Sequence, residues 1–288
     1  MDSVRLIPYA RLPRAYARLP LFHSTVDARG HVHWLLGERA PGNGTDDPYD
    51  AVVVTAADGR VYETRLSAVR PRRPMLDVLP DGGFVLADAR SRPGEQQAQV
   101  FDALGRPSWA FRLGDAIEHL MADASGELWV GHFDEGVYGD DPLSHPGLRR
   151  WGSTGEPLWA FRPGPGLMDM SDCVALNVDG TTAWACPHTR HPLVEVRSDG
   201  RVRVRPTGMS RVWALALHGD SVMFLHGDDG LTRGRITETA VEPEPGTARL
   251  VRSDGVPLAR FTTICRGSRI HVRERRGTDW SVLDLAAE

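Results

Sequence analysis

Two stretches gather ionisable side chains densely enough to do chemistry. Residues 132–141 read His-Phe-Asp-Glu-Gly-Val-Tyr-Gly-Asp-Asp and supply His132, Asp134, Glu135, Asp140 and Asp141. Further on, Asp169, Asp172 and Cys173 are followed by His188, Arg190 and His191. Carboxylates and imidazoles crowded in this way repel or titrate awkwardly unless a cation or a polar ligand joins them. Calcium, manganese and zinc are the divalent ions to consider, and a solvated acidic rim that serves solubility is the competing reading. A third acidic group, Asp46, Asp47 and Asp50, falls within residues 37–50.

Taken singly, these residues give weaker signals. His188-Thr-Arg-His191 has metal-ligand spacing, but Pro187 and Pro192 bracket it, so it is no zincin helix and leaves two loop imidazoles. Cys173 as a nucleophile needs a base, which His188 or His191 would supply. With only Cys173, Cys186 and Cys265 and no C-x-x-C spacing, reduced thiols packed as small apolar groups are the simpler expectation. Glu118, His119, Asp172 and Asn177 lie near the starts of strands expected to line a channel. Strict alternation would send Glu118 and His119 to opposite sides of theirs. No G-x-S-x-G elbow, phosphate-binding loop or dinucleotide-binding glycine pattern occurs.

The elements that must hold these residues are short alternating strands separated by glycine turns, with almost no helical period. The clearest sign is a repeated stretch. Residues 103–112, Ala-Leu-Gly-Arg-Pro-Ser-Trp-Ala-Phe-Arg, return as residues 153–162, Ser-Thr-Gly-Glu-Pro-Leu-Trp-Ala-Phe-Arg. A repeat of about 50 residues built from hairpins is the period of a β-propeller blade. One series of hairpins turns at Gly30, Gly82, Gly126, Gly180, Gly219 and Gly267, and a second at Gly59, Gly105, Gly155, Gly200 and Gly255. A strand from residues 4–9 would pair with the last strand, residues 280–285, and close the ring. The expected fold is all-β: a six-bladed β-propeller, a single domain over residues 1–288. Residues 10–20 and 232–247 interrupt the pattern with prolines and are expected to be surface connections. Trp109, Trp129 and Trp159 should pack one blade against the next.

This register puts every tight turn on one face. The long segments 37–50, 89–98, 132–147, 163–172 and 187–192 fall on the other, where ligand-binding residues are expected.

The blade rhythm of Leu79-Pro-Asp-Gly-Gly-Phe-Val-Leu86 and Ala122-Asp-Ala-Ser-Gly-Glu-Leu-Trp-Val130 resembles six-bladed propellers of the gluconolactonase and NHL type, and also the blades of streptogramin-type lyases. The gluconolactonase resemblance implies a divalent cation held at the channel mouth, with Glu118, Asp172 and Asn177 as its ligands here.

Composition narrows the partners. Net charge is −4 and all 34 basic residues are arginine, as a GC-rich bacterial genome would encode. That balance excludes nucleic-acid binding through a broad basic surface. No apolar run approaches the roughly 20 residues of a membrane span, and the N-terminus has Arg and Pro where a signal peptide needs an apolar core, so a soluble cytoplasmic protein is expected. The expected function is binding of a small polar molecule or a protein on the long-loop face, with no nucleic acid and no membrane. The expected ligand set is Glu118, His119, His132, Asp134, Glu135, Asp172, Asn177, His188 and Arg190. The alternative is a metal-assisted hydrolase or lyase acting on a lactone or ester.

Overall fold

The computed structural model describes residues 2–38, 47–92, 94–167 and 169–287. Local chemistry sets the turns. Asp27-Ala-Arg-Gly30, Asp102-Ala-Leu-Gly105 and Asp123-Ala-Ser-Gly126 adopt one geometry. In each, the carboxylate accepts the N–H groups two and four residues on, and the glycine N–H bonds back to the aspartate carbonyl. The glycine φ values, +84°, +79° and +88°, are open to glycine at no steric cost.

The strands in chain order begin with β1 (Ser3–Arg5) and β2 (Ile7–Ala10). A 3-10 turn (Arg14–Tyr16) leads into β3 (Leu21–Val26), β4 (Val32–Leu36), β5 (Tyr49–Ala57) and β6 (Arg60–Val69). Then come β7 (Pro74–Val78), β8 (Phe84–Asp88), β9 (Ala98–Phe101) and β10 (Pro107–Phe111). A third group is β11 (Ile117–Ala122), β12 (Leu128–His132), β13 (Leu148–Trp151) and β14 (Pro157–Ala160), with the single-turn α1 (Asp134–Val137) between β12 and β13.

These three groups are three four-stranded antiparallel sheets, and together they form the first of two compact units, Leu12–Phe161. All five residues of β4, β8 and β12 are buried, because each second strand is covered on both faces. The first strands leave backbone groups unpaired along one edge, and side chains from neighbouring sheets meet that need. The Leu76 N–H donates to His23 Nδ1 (3.1 Å), and the Ala122 N–H to the fully buried Asp77 Oδ2 (2.5 Å).

The second unit comprises Arg162–Glu288 with Met1–Arg11. It opens with β15 (Ala175–Asp179), β16 (Thr182–Cys186), β17 (Leu193–Val196) and β18 (Val202–Arg205). Next are β19 (Val212–His218), β20 (Ser221–His226), β21 (Gly230–Ile236), β22 (Val241–Pro243) and β23 (Ala248–Val251). The last are β24 (Phe261–Arg266), β25 (Arg269–Glu274) and β26 (Trp280–Asp284).

Three expectations change here. Residues 232–247 are not merely a connection: β21 pairs along β20, and β22 folds back on β21. Proline is tolerated because Pro243 ends a short edge strand, where no ladder N–H is missed. The Gly255 turn forms, yet the chain after it makes only one bridge, Val251 to Pro257. The place beside β23 is taken instead by β1, in parallel. The N-terminal strand is therefore two: β1 joins β23, β2 runs antiparallel to β26, and Leu6 between them is buried with its N–H on the Val251 carbonyl (2.9 Å).

Trp129 is fully buried, donates to Asp123 Oδ2 (3.1 Å) and lies 6.0 Å from Trp159. Trp109 stays 42% exposed, with its N–H on the Ser153 carbonyl (3.1 Å).

Candidate functional site

In the first unit, His132 ends β12 and is completely buried. Its Nδ1–H donates to the Asp115 carbonyl (2.8 Å), and burial pushes its pKa down to about 4, so it is neutral at ordinary pH. The same carbonyl accepts Ser144 Oγ–H (2.9 Å), while Ser144 Oγ accepts the Asp115 N–H (2.8 Å). The Asp115 carboxylate takes the Ser91 N–H (2.7 Å) and lies 3.3 Å from Arg90 Nε, and Arg90 also pairs with Glu135. Asp134 accepts the Glu135 N–H (2.8 Å) at the start of α1. Buried Asp141 accepts the Leu143 N–H (3.1 Å) and Arg112 Nη2 (2.9 Å). The loop is thus tied down through its carboxylates, Glu135 and Asp141 to arginines outside it and Asp134 to its own backbone.

Glu118 sits at a register shift between Ile117 and His119 in β11, so the strict alternation expected there is broken. Glu118 is exposed and His119 half-buried. Asp47 and Asp50 are exposed, with Asp50 Oδ1 near the Ala68 N–H (3.3 Å); Asp46 lies outside the described residues.

In the second unit, Asn177 is a bracket between strands. Its amide donates to the Leu215 and Gly267 carbonyls (2.8 and 2.9 Å) and accepts the Gly267 N–H (2.8 Å). Gly267 is in the tight β24–β25 turn, so Asn177 serves the end of the sheet opposite the long loops. Cys173 is buried with its thiol towards the Ala175 carbonyl (3.9 Å). Burial raises the Cys186 thiol far above its usual range and pushes Cys265 up to about 12, so both are inert.

Among the sequence-predicted residues, Asp169 and Arg190 line a groove of about 690 Å³ with Leu167, Thr189, Val204 and Thr207 among others, and Asp50 lines another of about 640 Å³ in the first unit. Arg190 and His191 both hold left-handed backbone, φ +62° and +44°, where a side chain is strained. The loop is held there by Thr207 Oγ1–H on the His191 carbonyl (2.7 Å), the His188 N–H on the Asp172 carbonyl (2.9 Å) and Ser171 against Thr189 (3.2 Å). His191 is only 7% exposed and its ring lies 5.8 Å from that of His188; burial, then the neighbouring imidazole, lowers its pKa.

Glu118, Asp172 and Asn177 are the cation ligands that the gluconolactonase resemblance implies. Glu118 is exposed at its register shift in β11, and the Asn177 amide is committed to backbone groups. Among the described residues no three His, Cys, Asp or Glu side chains cluster closely enough to hold an ion. Sequence reasoning passed over Arg112, Asp115, Ser144 and Arg149. Arg112 stood in plain view as the last residue of the first Trp-Ala-Phe-Arg copy, read there only as strand pattern.

No protein-family model matches the chain. A curated relative, UDP-N-acetylmuramoylalanine–D-glutamate ligase of Nocardia farcinica, is 27% identical over 120 residues, 39% of this chain, and the match spans only 25% of that enzyme. Virginiamycin B lyase from Staphylococcus aureus superposes with a TM-score of 0.54 at 14% identity, over 94% of this chain and 82% of that one. Hsv2 from Kluyveromyces lactis does so with a TM-score of 0.54 at 9% identity, over 93% and 75%. At such identities the likeness is one of fold alone, and the fold is a β-propeller.

Proposed function

We propose that the chain is a six-bladed β-propeller, one domain over residues 1–288 closed by β2 against β26, and that it is a cytoplasmic protein binding a small polar ligand at its loop-rich strand ends. The sheets and the β2–β26 ladder support the architecture. The groove beside Arg190 carries the binding reading. Two successive side chains in left-handed backbone cost about 1–3 kcal/mol each. They persist there beside a concave surface that mixes apolar walls (Leu167, Val204) with a carboxylate, a guanidinium and hydroxyls. That mixture is the usual make-up of a small-molecule site.

The test is thermal melting against a panel of sugar acids, amino acids and nucleotides. At least one class should raise Tm in the native chain and leave Val204→Trp, which fills the groove, unmoved. A panel with no hit, or hits indifferent to Val204→Trp, would overturn the reading. Arg190→Gly should relieve backbone strain and raise stability by about 1 kcal/mol while weakening any ligand so found.

A further inference from the structure

We propose a second binding site, in the first unit and independent of the groove: Arg112 and Arg149 form an oxyanion site around Asp141. Arg112 follows β10 and Arg149 lies near the start of β13, both at strand ends that carry long loops. One carboxylate serves this neighbourhood, and each of its oxygens already accepts a hydrogen bond: Asp141 Oδ1 takes the Leu143 N–H (3.1 Å) and Oδ2 takes Arg112 Nη2 (2.9 Å).

Among the described residues no carboxylate lies within ion-pair distance of Arg149, and Asp141 acts on it only from further off. Among the described residues its polar contact is a long one, Nη2 to the Pro142 carbonyl (3.4 Å), and its guanidinium rests 5.5 Å from the Trp151 ring centroid. Three donors in this neighbourhood are buried without an acceptor among the described residues: Arg112 Nε, Arg149 Nε and Trp151 Nε1. His132 alongside is neutral, and the Asp115 charge is met by Arg90, so neither balances Arg149.

The surplus is one positive charge at a partly covered fork. Burial lowers the Arg149 pKa, opposed by the Asp141 charge, so an incoming anion would relieve a real cost. The Arg112 side chain is 36% exposed, leaving the pair open to solution. A planar guanidinium matches the two oxygens of a carboxylate or a phosphoryl group. The ligand class is therefore a small oxyanion.

Titration of the native chain in a low-salt, anion-poor buffer with inorganic phosphate and with acetate tests this, against chloride at matched ionic strength. Melting temperature and the NMR signals of arginine Nε–H groups are the readouts. One of the two oxyanions should bind saturably beyond chloride and shift the Arg112 and Arg149 Nε–H signals. A preference for phosphate would mark a phosphoryl ligand, and for acetate a carboxylate. Arg149→Lys, which keeps the charge but loses the fork, should weaken binding about tenfold or more, and Arg149→Met should abolish it. Val204→Trp should bind as the native chain does. Responses no larger than chloride's, or unchanged in both Arg149 variants, would overturn the site; should Arg149→Met fail to fold, Arg149→Lys still decides.

Discussion

Single residues here are mostly spoken for by the fold. Asn177, a natural metal-ligand candidate by type and position, spends its amide on three backbone groups of neighbouring strands. His132 and His271 are buried as neutral rings. His271 packs 4.6 Å from Tyr9, and burial, reinforced by Arg269 and Arg266 and opposed by Asp284, pushes its pKa down to about 3. Both folded values lie below the ordinary histidine value of about 6.5. The unfolded chain therefore takes up protons below that pH which the folded chain refuses, and stability must fall as pH drops through 6.5 towards 4. Melting at pH 7 and pH 5 should differ by on the order of 3 kcal/mol, and His271→Leu should flatten the slope. A flat profile in the native chain would show that these rings are hydrated.

At the scale of elements, the turns are the most legible feature. Asp-Ala-x-Gly at residues 27–30, 102–105 and 123–126 predicts its own hydrogen bonds, because an aspartate can cap only the N–H groups that follow it closely. The glycines are not equivalent, however. Gly59 (φ +72°) faces open space, whereas a Cβ at Gly105 (φ +79°) would collide with the Arg65 carbonyl of the neighbouring sheet. Gly59→Ala should cost about 1 kcal/mol, from backbone strain alone. Gly105→Ala should cost at least twice that, because a packed backbone must also move. Urea unfolding of the two variants measures the difference, and equal losses would mean that the two sheets yield easily at this contact. The register shift at Glu118 shows the limit of such reading. Alternation is a rule for regular strands, and nothing in Ile117-Glu118-His119 announces a bulge.

On the scale of the whole molecule, the first ten residues carry unusual weight. β1 covers β23, β2 covers β26, and Leu6 joins the core of the second unit. Deleting residues 2–10 should uncover both sheet edges, lowering Tm by more than about 10 °C or driving association through the freed strands. Calorimetry and sedimentation check this, and a deletion variant that melts as the native chain does would overturn the proposed closure.

The sequence by itself determined the strands, the turn positions and the propeller class, since period-two alternation and glycine turns are local properties. Within a single sheet it could also sort the loops, because strand order dictates which connections share an end. Only the tertiary structure decided which loop residues stand beside open space. Hydrogen bonds over long separations, such as Arg112 to Asp141 and Asn177 to Gly267, consume some polar groups and strand others, and that allotment depends on packing between sheets. Hence the acidic loop at 132–141, the densest chemical signal in the chain, is largely tied to arginines outside it and to its own backbone. Arg149, inconspicuous in sequence, is left with a charge to place.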